Sequence, residues 1–168
     1  PETAAFLLPD FPVDAEVKYK DNLMNAYDNS IRYTDNFLAR IIHLLKQQQV
    51  DASMLYTSDH GEDIFDDGRH LFLHASPVPS YYQLHVPLLL WTSDSYREEY
   101  PGIEKAASMN RQKNISSSIS FFQTMMELAG IETPYRNDSL SVTSPLYTEK
   151  SRVYLNDHNE PHSLDDIG

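Results

Sequence analysis

Two short apolar runs, each ending where polar residues begin, most constrain what this chain can fold into. Residues 53–58 (Ser-Met-Leu-Tyr-Thr-Ser) and 86–92 (Val-Pro-Leu-Leu-Leu-Trp-Thr) have the length and apolar character of strands buried in a parallel sheet. Before them, apolar residues recur every three or four positions from Leu23 to Leu45, which predicts a long amphipathic helix ending near Gln48. Helices that alternate with such strands indicate an α/β layered fold with a mostly parallel sheet.

The second half of the chain continues this alternation. Apolar residues from Ile115 to Ala129 repeat at helical spacing, with Asn114 and Ser116 as the two N-cap candidates and Gly130 as the C-terminal stop. Residues 152–155 (Arg-Val-Tyr-Leu) then predict a last strand. Three strands make a thin sheet and the first residue is a proline, so we expect a processed or excised piece of a larger protein.

Charge and composition exclude several classes of function. With 13 basic and 25 acidic residues the net charge is −12, and such a surface repels nucleic acid. Without cysteine there is no disulfide framework, thiolate metal cluster or cysteine nucleophile. Neither a G-x-x-x-x-G-K-[ST] loop nor a G-x-G-x-x-G fingerprint occurs in the sequence, which argues against a nucleotide cofactor.

The connection between the two apolar runs, residues 59–85, is long, polar and begins with Asp59-His60-Gly61. A connection of this length in a compact domain is usually functional or disordered. Beyond the end of a strand, a turn eased by Gly61 brings Asp59 and His60 toward one point, and their oxygen and nitrogen ligands suit zinc or manganese better than calcium. From the residues alone, a turn or helix cap formed by Asp59 is an equally open interpretation.

Other polar side chains of the connection have both a functional and a structural interpretation. His74 lies in an apolar stretch and is a candidate to donate hydrogen bonds or protons to a bound phosphate or sulfate. We expect His43 and His70 to be ordinary surface histidines, and Asp157-His158 and His162 near the C-terminus to be structural. The acidic run after the motif has two interpretations, extra metal ligands or a solvated loop face, of which we expect the second: Glu62, Asp63, Asp66 and Asp67.

Taken together, these segments resemble the metal-binding half of the sulfatase and alkaline phosphatase superfamily, and within it the bacterial phosphoethanolamine transferases. The residues that carry the resemblance are 57–62 (Thr-Ser-Asp-His-Gly-Glu), 72–76 (Phe-Leu-His-Ala-Ser) and 83–87 (Gln-Leu-His-Val-Pro). The start of the long helix, residues 25–30, is also similar, and the resemblance extends from about Tyr19 to Glu160.

The resemblance implies an alkaline-phosphatase-like fold of which this chain holds the C-terminal portion. Residues 1–18 would be an irregular lead-in, and residues 19–168 the C-terminal part of a sulfatase-like catalytic domain. By analogy with the family, Asp59 and His60 would be metal ligands for one or two zinc ions, with manganese or calcium less expected. His74 matches the family histidine that contacts the transferred phosphoryl group or a second metal, and would be catalytic.

The activity that the resemblance implies is transfer of phosphoethanolamine from a phospholipid to a glycolipid or glycan, as in lipopolysaccharide modification. The threonine nucleophile would come from a strand outside this chain. The intact enzyme would work on the periplasmic side of the bacterial inner membrane, although these residues alone would be soluble. Two alternatives stay open: a sulfuric ester hydrolase of the same fold, and a chain that is catalytically silent alone.

Overall fold

The structure, a computed structural model, describes residues 16–74, 76–156 and 158–167. The predicted lead-in therefore lies almost entirely outside the described residues, as do Ala75 of the second motif and Asp157 of the C-terminal pair. The helices are α1 Lys20–Gln48, α2 Tyr81–Leu84, α3 Asp94–Glu99, α4 Pro101–Asn110 and α5 Ser117–Leu128. The strands are β1 Ser53–Thr57, β2 Asp63–Ile64, β3 Phe72–Leu73, β4 Leu88–Thr92, β5 Val153–Leu155 and β6 Pro161–Ser163.

Helix α1 confirms the long amphipathic helix, including its end near Gln48. Asp21 in its first turn and Lys46 in its last turn each oppose the partial charge of the nearer helix terminus, and so favour the helix. Gln49 takes a left-handed conformation with φ of 54°, the usual way for a helix to stop. No helix in the described ranges is long and apolar enough to cross a bilayer.

Strands β1 and β4 are the two apolar runs, but they pair antiparallel, from Ser53 opposite Thr92 to Thr57 opposite Leu88. The expectation of a mostly parallel sheet is wrong for the described strands, because β2–β3 and β5–β6 are antiparallel as well. A parallel pair needs a crossover that returns the chain to the opposite end of the sheet, usually through a helix. Here the connection leaves from Thr57 and returns beside it at Leu88, and the one helix among its described residues is the four-residue α2.

The chain divides into two compact units, of which the first contains residues 16–47 and 59–86. In this unit the Lys20 ammonium donates a hydrogen bond of 2.8 Å to the carbonyl of Phe65, which fastens the start of α1 to the polar connection. Phe65 is buried and stacks on Phe72 with ring centroids 5.3 Å apart. The connection that looks like a loop in the sequence therefore has a small core.

The second unit, Gln48–Ser58 with Pro87–Gly168, has a core with many polar members. The Asn110 amide donates to the carbonyls of Val142 at 3.0 Å and Ser144 at 2.8 Å, and the Thr124 hydroxyl accepts from the Val142 amide at 3.0 Å. These bonds tie α4 and α5 to the segment that follows them.

Helix α5 and strand β5 confirm the two elements predicted in the second half of the chain. Gly130 follows α5 with φ of +62°, a conformation that glycine adopts without steric cost, and it ends the helix as expected. Tyr96 of α3 donates its hydroxyl to the carbonyl of Leu128 at 2.7 Å. Burial raises the pKa of the Tyr96 hydroxyl above its usual range.

Candidate metal site

The site begins at the four residues Asp59–Glu62, here called the Asp-His loop, which lie against helix α2. The Gly61 amide donates a hydrogen bond of 2.8 Å to the carbonyl of Gln83. A Cβ atom at Gly61 would lie 2.0 Å from the carbonyl oxygen of Tyr82, so only glycine allows the two backbones to approach this closely. The glycine of the motif therefore has a steric role as well as a conformational one.

Asp59 and His60 form one half of the candidate site. The Asp59 side chain is 86% exposed, and its Oδ2 lies 3.7 Å from Nε2 of His60. Two ligands bound to one tetrahedral zinc at about 2.0–2.1 Å are about 3.3 Å apart, so the observed spacing is close to that of a shared ion. His60 Nδ1 lies 3.0 Å from the Gly61 carbonyl. Donation to that carbonyl would direct Nε2 toward a metal ion, an orientation common among metal-binding histidines.

Glu62 and His74 form the other half. The antiparallel register pairs Asp63 with Leu73, and so brings the preceding Glu62 and the following His74 together. Nδ1 of His74 lies 3.0 Å from both carboxylate oxygens of Glu62. The rings of His60 and His74 are 4.0 Å apart between centroids.

His60 connects the two halves. One ligand atom from each of His60, Glu62 and His74 lies within 4.8 Å of the other two. Imidazole nitrogens and carboxylate oxygens are ligand types that zinc prefers, so this cluster and the Asp59–His60 pair beside it both fit the implied metal. The three predicted site residues, Asp59, His60 and His74, are therefore brought into one neighbourhood.

The prediction of a solvated acidic run is wrong for most of its members. Glu62 contacts His74 and its side chain is only 21% exposed, whereas Asp63 is fully buried. Asp66 accepts a hydrogen bond of 2.7 Å from the Ile64 amide. Only Asp67 behaves as a surface carboxylate, held by Arg69, whose hydrogen bonds lower the pKa of Asp67 below its usual range. The alternative interpretation, that the run supplies extra ligands, fits Glu62, which lies beside both His60 and His74.

Three further histidines, His43, His70 and His162, agree with their expected roles. His43 is exposed on α1 and contacts Gln47, and His70 is exposed as well. Near the C-terminus His162 lies 3.0 Å from the Asn156 amide and stacks on Tyr154, which is a structural environment.

Comparison with known proteins gives one family match and several relatives with shared names. The family model described as Sulfatase matches residues 5–131. Phosphoethanolamine transferase EptA of Escherichia coli K12 is 35% identical over 120 residues, which are 69% of this chain and 22% of that protein. Kdo(2)-lipid A phosphoethanolamine 7''-transferase of the same strain is 28% identical over 120 residues, 68% of this chain and 20% of that protein.

Comparison with solved structures shows that the fold of this chain is similar to that of a periplasmic EptC domain. The C-terminal periplasmic domain of EcEptC from Escherichia coli superposes with a TM-score of 0.78 at 25% identity, covering 94% of this chain and 44% of that domain. Its complex with Zn superposes with a TM-score of 0.77. The chain thus spans about a fifth of the length of the curated relatives and less than half of the solved domain.

Proposed function

Because the chain belongs to the Sulfatase family, whose model covers residues 5–131, we propose that it carries the metal-binding segment of a zinc-dependent phosphoethanolamine transferase. The observation that supports this most directly is the convergence of His60, Glu62 and His74 within 4.8 Å, with Asp59 beside His60. The names of the transferase relatives and the Zn complex of the EcEptC domain support the same choice of reaction and metal.

Asp59 and His60 are proposed to hold the zinc ion. Their ligand atoms, Oδ2 and Nε2, face each other, and His60 is oriented by the Gly61 carbonyl at its other nitrogen. When bound, zinc would lower the pKa of a hydroxyl nucleophile and stabilise negative charge on the phosphoryl group. Asp59 would also offset part of the positive charge of the ion.

His74 is proposed to act on the phosphoryl oxygens, with Glu62 as its partner. Glu62 accepts a hydrogen bond from Nδ1–H of His74, which fixes the ring and leaves Nε2 to receive or give a proton. A carboxylate at Nδ1 also stabilises the charged imidazolium that forms when Nε2 is protonated. This pair supplies general acid and base chemistry beside the metal ligands.

The proposed substrates follow from the relatives' names and the motif resemblance. The donor is a phospholipid that carries phosphoethanolamine, and the acceptor is a glycolipid of the lipid A type, as in the name of one relative. The proposed place of action is the periplasmic side of the bacterial inner membrane, in line with the periplasmic EcEptC domain.

A sulfuric ester hydrolase is the second candidate, favoured by the description of the matching family. Both reactions place negative charge on oxygens next to the metal, so His60 and His74 would serve either one. The two candidates differ in the group transferred, and an assay with both substrates separates them.

Zinc binding tests the proposal on this chain. The apo protein is titrated with Zn²⁺ against a chromogenic chelator, with Asp59→Ala and His60→Ala as variants. Loss of a ligand should weaken zinc at least as much as the roughly 10- to 100-fold typical of losing an outer contact. His43→Ala, an exposed histidine of α1, is the matched control and should bind as the unmodified protein does. Equal zinc affinity in all four proteins would contradict the proposed ligands.

Activity is tested on the product of the complete gene. Vesicles containing phosphatidylethanolamine and lipid A are incubated with the unmodified protein and with His74→Ala, and modified lipid A is measured by mass spectrometry. We expect transfer that His74→Ala reduces by roughly 10²- to 10⁴-fold, the range for a general acid or base. Hydrolysis of an aryl sulfate in place of transfer would favour the sulfatase. The 168-residue chain alone should turn over neither substrate.

A further inference from the structure

The most buried carboxylate of the described residues, Asp63, belongs to neither half of the candidate metal site. Its relative exposure is 0%, although it directly follows Glu62. Both of its oxygens accept hydrogen bonds, Oδ1 from the Ser80 hydroxyl at 2.7 Å and Oδ2 from the Gln83 amide at 2.5 Å. A carboxylate without solvent is costly unless such donors compensate it, so these contacts are needed wherever Asp63 is buried.

The partners of Asp63 are also the residues that fix helix α2. Ser80 is the N-cap of α2, and its hydroxyl oxygen accepts a hydrogen bond of 3.2 Å from the backbone N–H of Gln83. A helix of four residues is too short to be stable by itself, so α2 depends on such tertiary contacts. Asp63 thus holds both ends of this short helix.

Helix α2 in turn supports the Asp-His loop. The Gln83 carbonyl accepts from the Gly61 amide at 2.8 Å, and the Tyr82 carbonyl is close enough to exclude any side chain at position 61. A shift of α2 would therefore move Gly61, and with it the carbonyl that orients Nδ1 of His60. Asp63 therefore contacts Gln83, Gln83 contacts Gly61, and the Gly61 carbonyl contacts the ring of His60.

We propose that Asp63 is a positioning residue for the metal site, which acts through Ser80, Gln83 and Gly61 without touching the metal. This inference rests on the proposed function, since it assumes that His60 binds zinc. Asp63 holds α2, α2 holds Gly61, and Gly61 sets the direction of the His60 ring. Outer contacts of this kind determine how well ligands are oriented before the metal arrives.

The test compares zinc affinity in Asp63→Asn and Ser80→Ala with a matched control. Asparagine keeps the shape of Asp63 but removes its charge and turns one acceptor into a donor, so the Ser80 hydroxyl or the Gln83 side-chain amide loses its acceptor. Ser80→Ala removes one donor and keeps the carboxylate. Asp67→Asn, a surface carboxylate of the same connection, is the control. We expect zinc to bind about tenfold more weakly in both test variants, and within about twofold of the unmodified protein in the control.

A second measurement separates positioning from a simple loss of stability. Hydrogen exchange of the Gly61 amide in the apo protein should be faster in Asp63→Asn than in Asp67→Asn, because the bond to Gln83 is weakened. Affinities are measured where each variant is folded by circular dichroism. If Asp63→Asn does not fold, Ser80→Ala decides the question. Variants that are less stable but bind zinc with unchanged affinity would overturn the inference.

Failure of the inference is distinguishable from failure of the proposed function. If His60→Ala weakens zinc while Asp63→Asn and Ser80→Ala do not, the metal site stands and Asp63 is only a structural residue. If His60→Ala binds zinc as tightly as the unmodified protein, the proposed site fails and the inference falls with it.

Discussion

Two clusters of polar side chains, one in each unit, differ in burial, and this difference separates a role in stability from a role in function. In the second unit Asn110, Thr124 and Thr143 are each 1% exposed, and each has hydrogen-bond partners. In the first unit the side chains of His60 and His74 are 38% and 48% exposed and face each other and Glu62. Buried polar groups are found with partners because an unpaired one is costly, so the second cluster is explained by stability alone.

The first cluster has no such explanation. Half-exposed imidazoles can bond to water, so folding does not require them to converge. Their convergence is informative about function because the fold does not need it. Substitutions in the second cluster should therefore lower the free energy of unfolding and leave zinc affinity unchanged. Substitutions in the first cluster should weaken zinc binding and leave the free energy of unfolding unchanged.

The largest effect on stability is expected for Asn110→Ala. The substitution leaves the buried carbonyl of Val142 without the Asn110 amide that bonds it, and the Ser144 carbonyl with the Tyr147 amide at 3.2 Å as its remaining donor. An unsatisfied buried acceptor costs roughly 1–3 kcal/mol, so we expect the free energy of unfolding to fall by roughly 3 kcal/mol in urea titrations. Asn36→Ala, at an exposed position of α1, is the control and should change it by less than about 0.5 kcal/mol. A loss of zinc affinity in folded Asn110→Ala would contradict the separation of the two clusters.

The elements that the sequence predicts well are those whose pattern is local. Periodicity and capping correctly place helix α1 and helix α5 with its stop at Gly130. The three predicted strands are also found, as β1, β4 and β5. The family and its fold, inferred from the motifs around Asp59 and His74, are confirmed by the Sulfatase match and the EcEptC domain. Motifs indicate the family and its fold because they combine particular residue types with a fixed spacing.

What the sequence does not predict depends on distant partners. Strand direction between β1 and β4 is set by where the connection returns, which no local pattern encodes. Helices α3 and α4 are also missing from the sequence-based prediction, although Ser93 is the N-cap of the first and Pro101 opens the second. The burial of Asp63 follows from Ser80 and Gln83, more than fifteen residues away. An acidic run alone does not distinguish a buried carboxylate from a solvated one.

Gly61→Ala should lower both the stability of the protein and its affinity for zinc. The new methyl group would lie 2.0 Å from the Tyr82 carbonyl oxygen, so the Asp-His loop must move away from α2. Such overpacking costs roughly 1–3 kcal/mol, and we expect a loss of about 2 kcal/mol in the free energy of unfolding together with weaker zinc binding. Gly68→Ala, where nothing lies within 4 Å, is the matched control and should leave both measurements unchanged. Normal zinc affinity in Gly61→Ala would show that the contact with α2 does not orient His60.

The smallest effect concerns Asp67, which lies on the same connection but outside the metal cluster. Hydrogen bonds from the side chain and backbone of Arg69 lower the pKa of Asp67 below its ordinary value of 3.8. Since the folded pKa is the lower one, Asp67 contributes stability that is complete above the unfolded pKa and is lost as pH falls through the folded pKa. The unfolding free energy of Asp67→Asn, measured from pH 6 down to about pH 2, should therefore fall less steeply below about pH 4 than that of the unmodified protein. Asn36→Ala, at an exposed position of α1 that carries no titratable group, should keep the original slope. Because the pair is solvent-exposed, the difference should shrink in about 1 M salt, and a difference that persists there would indicate a buried contact.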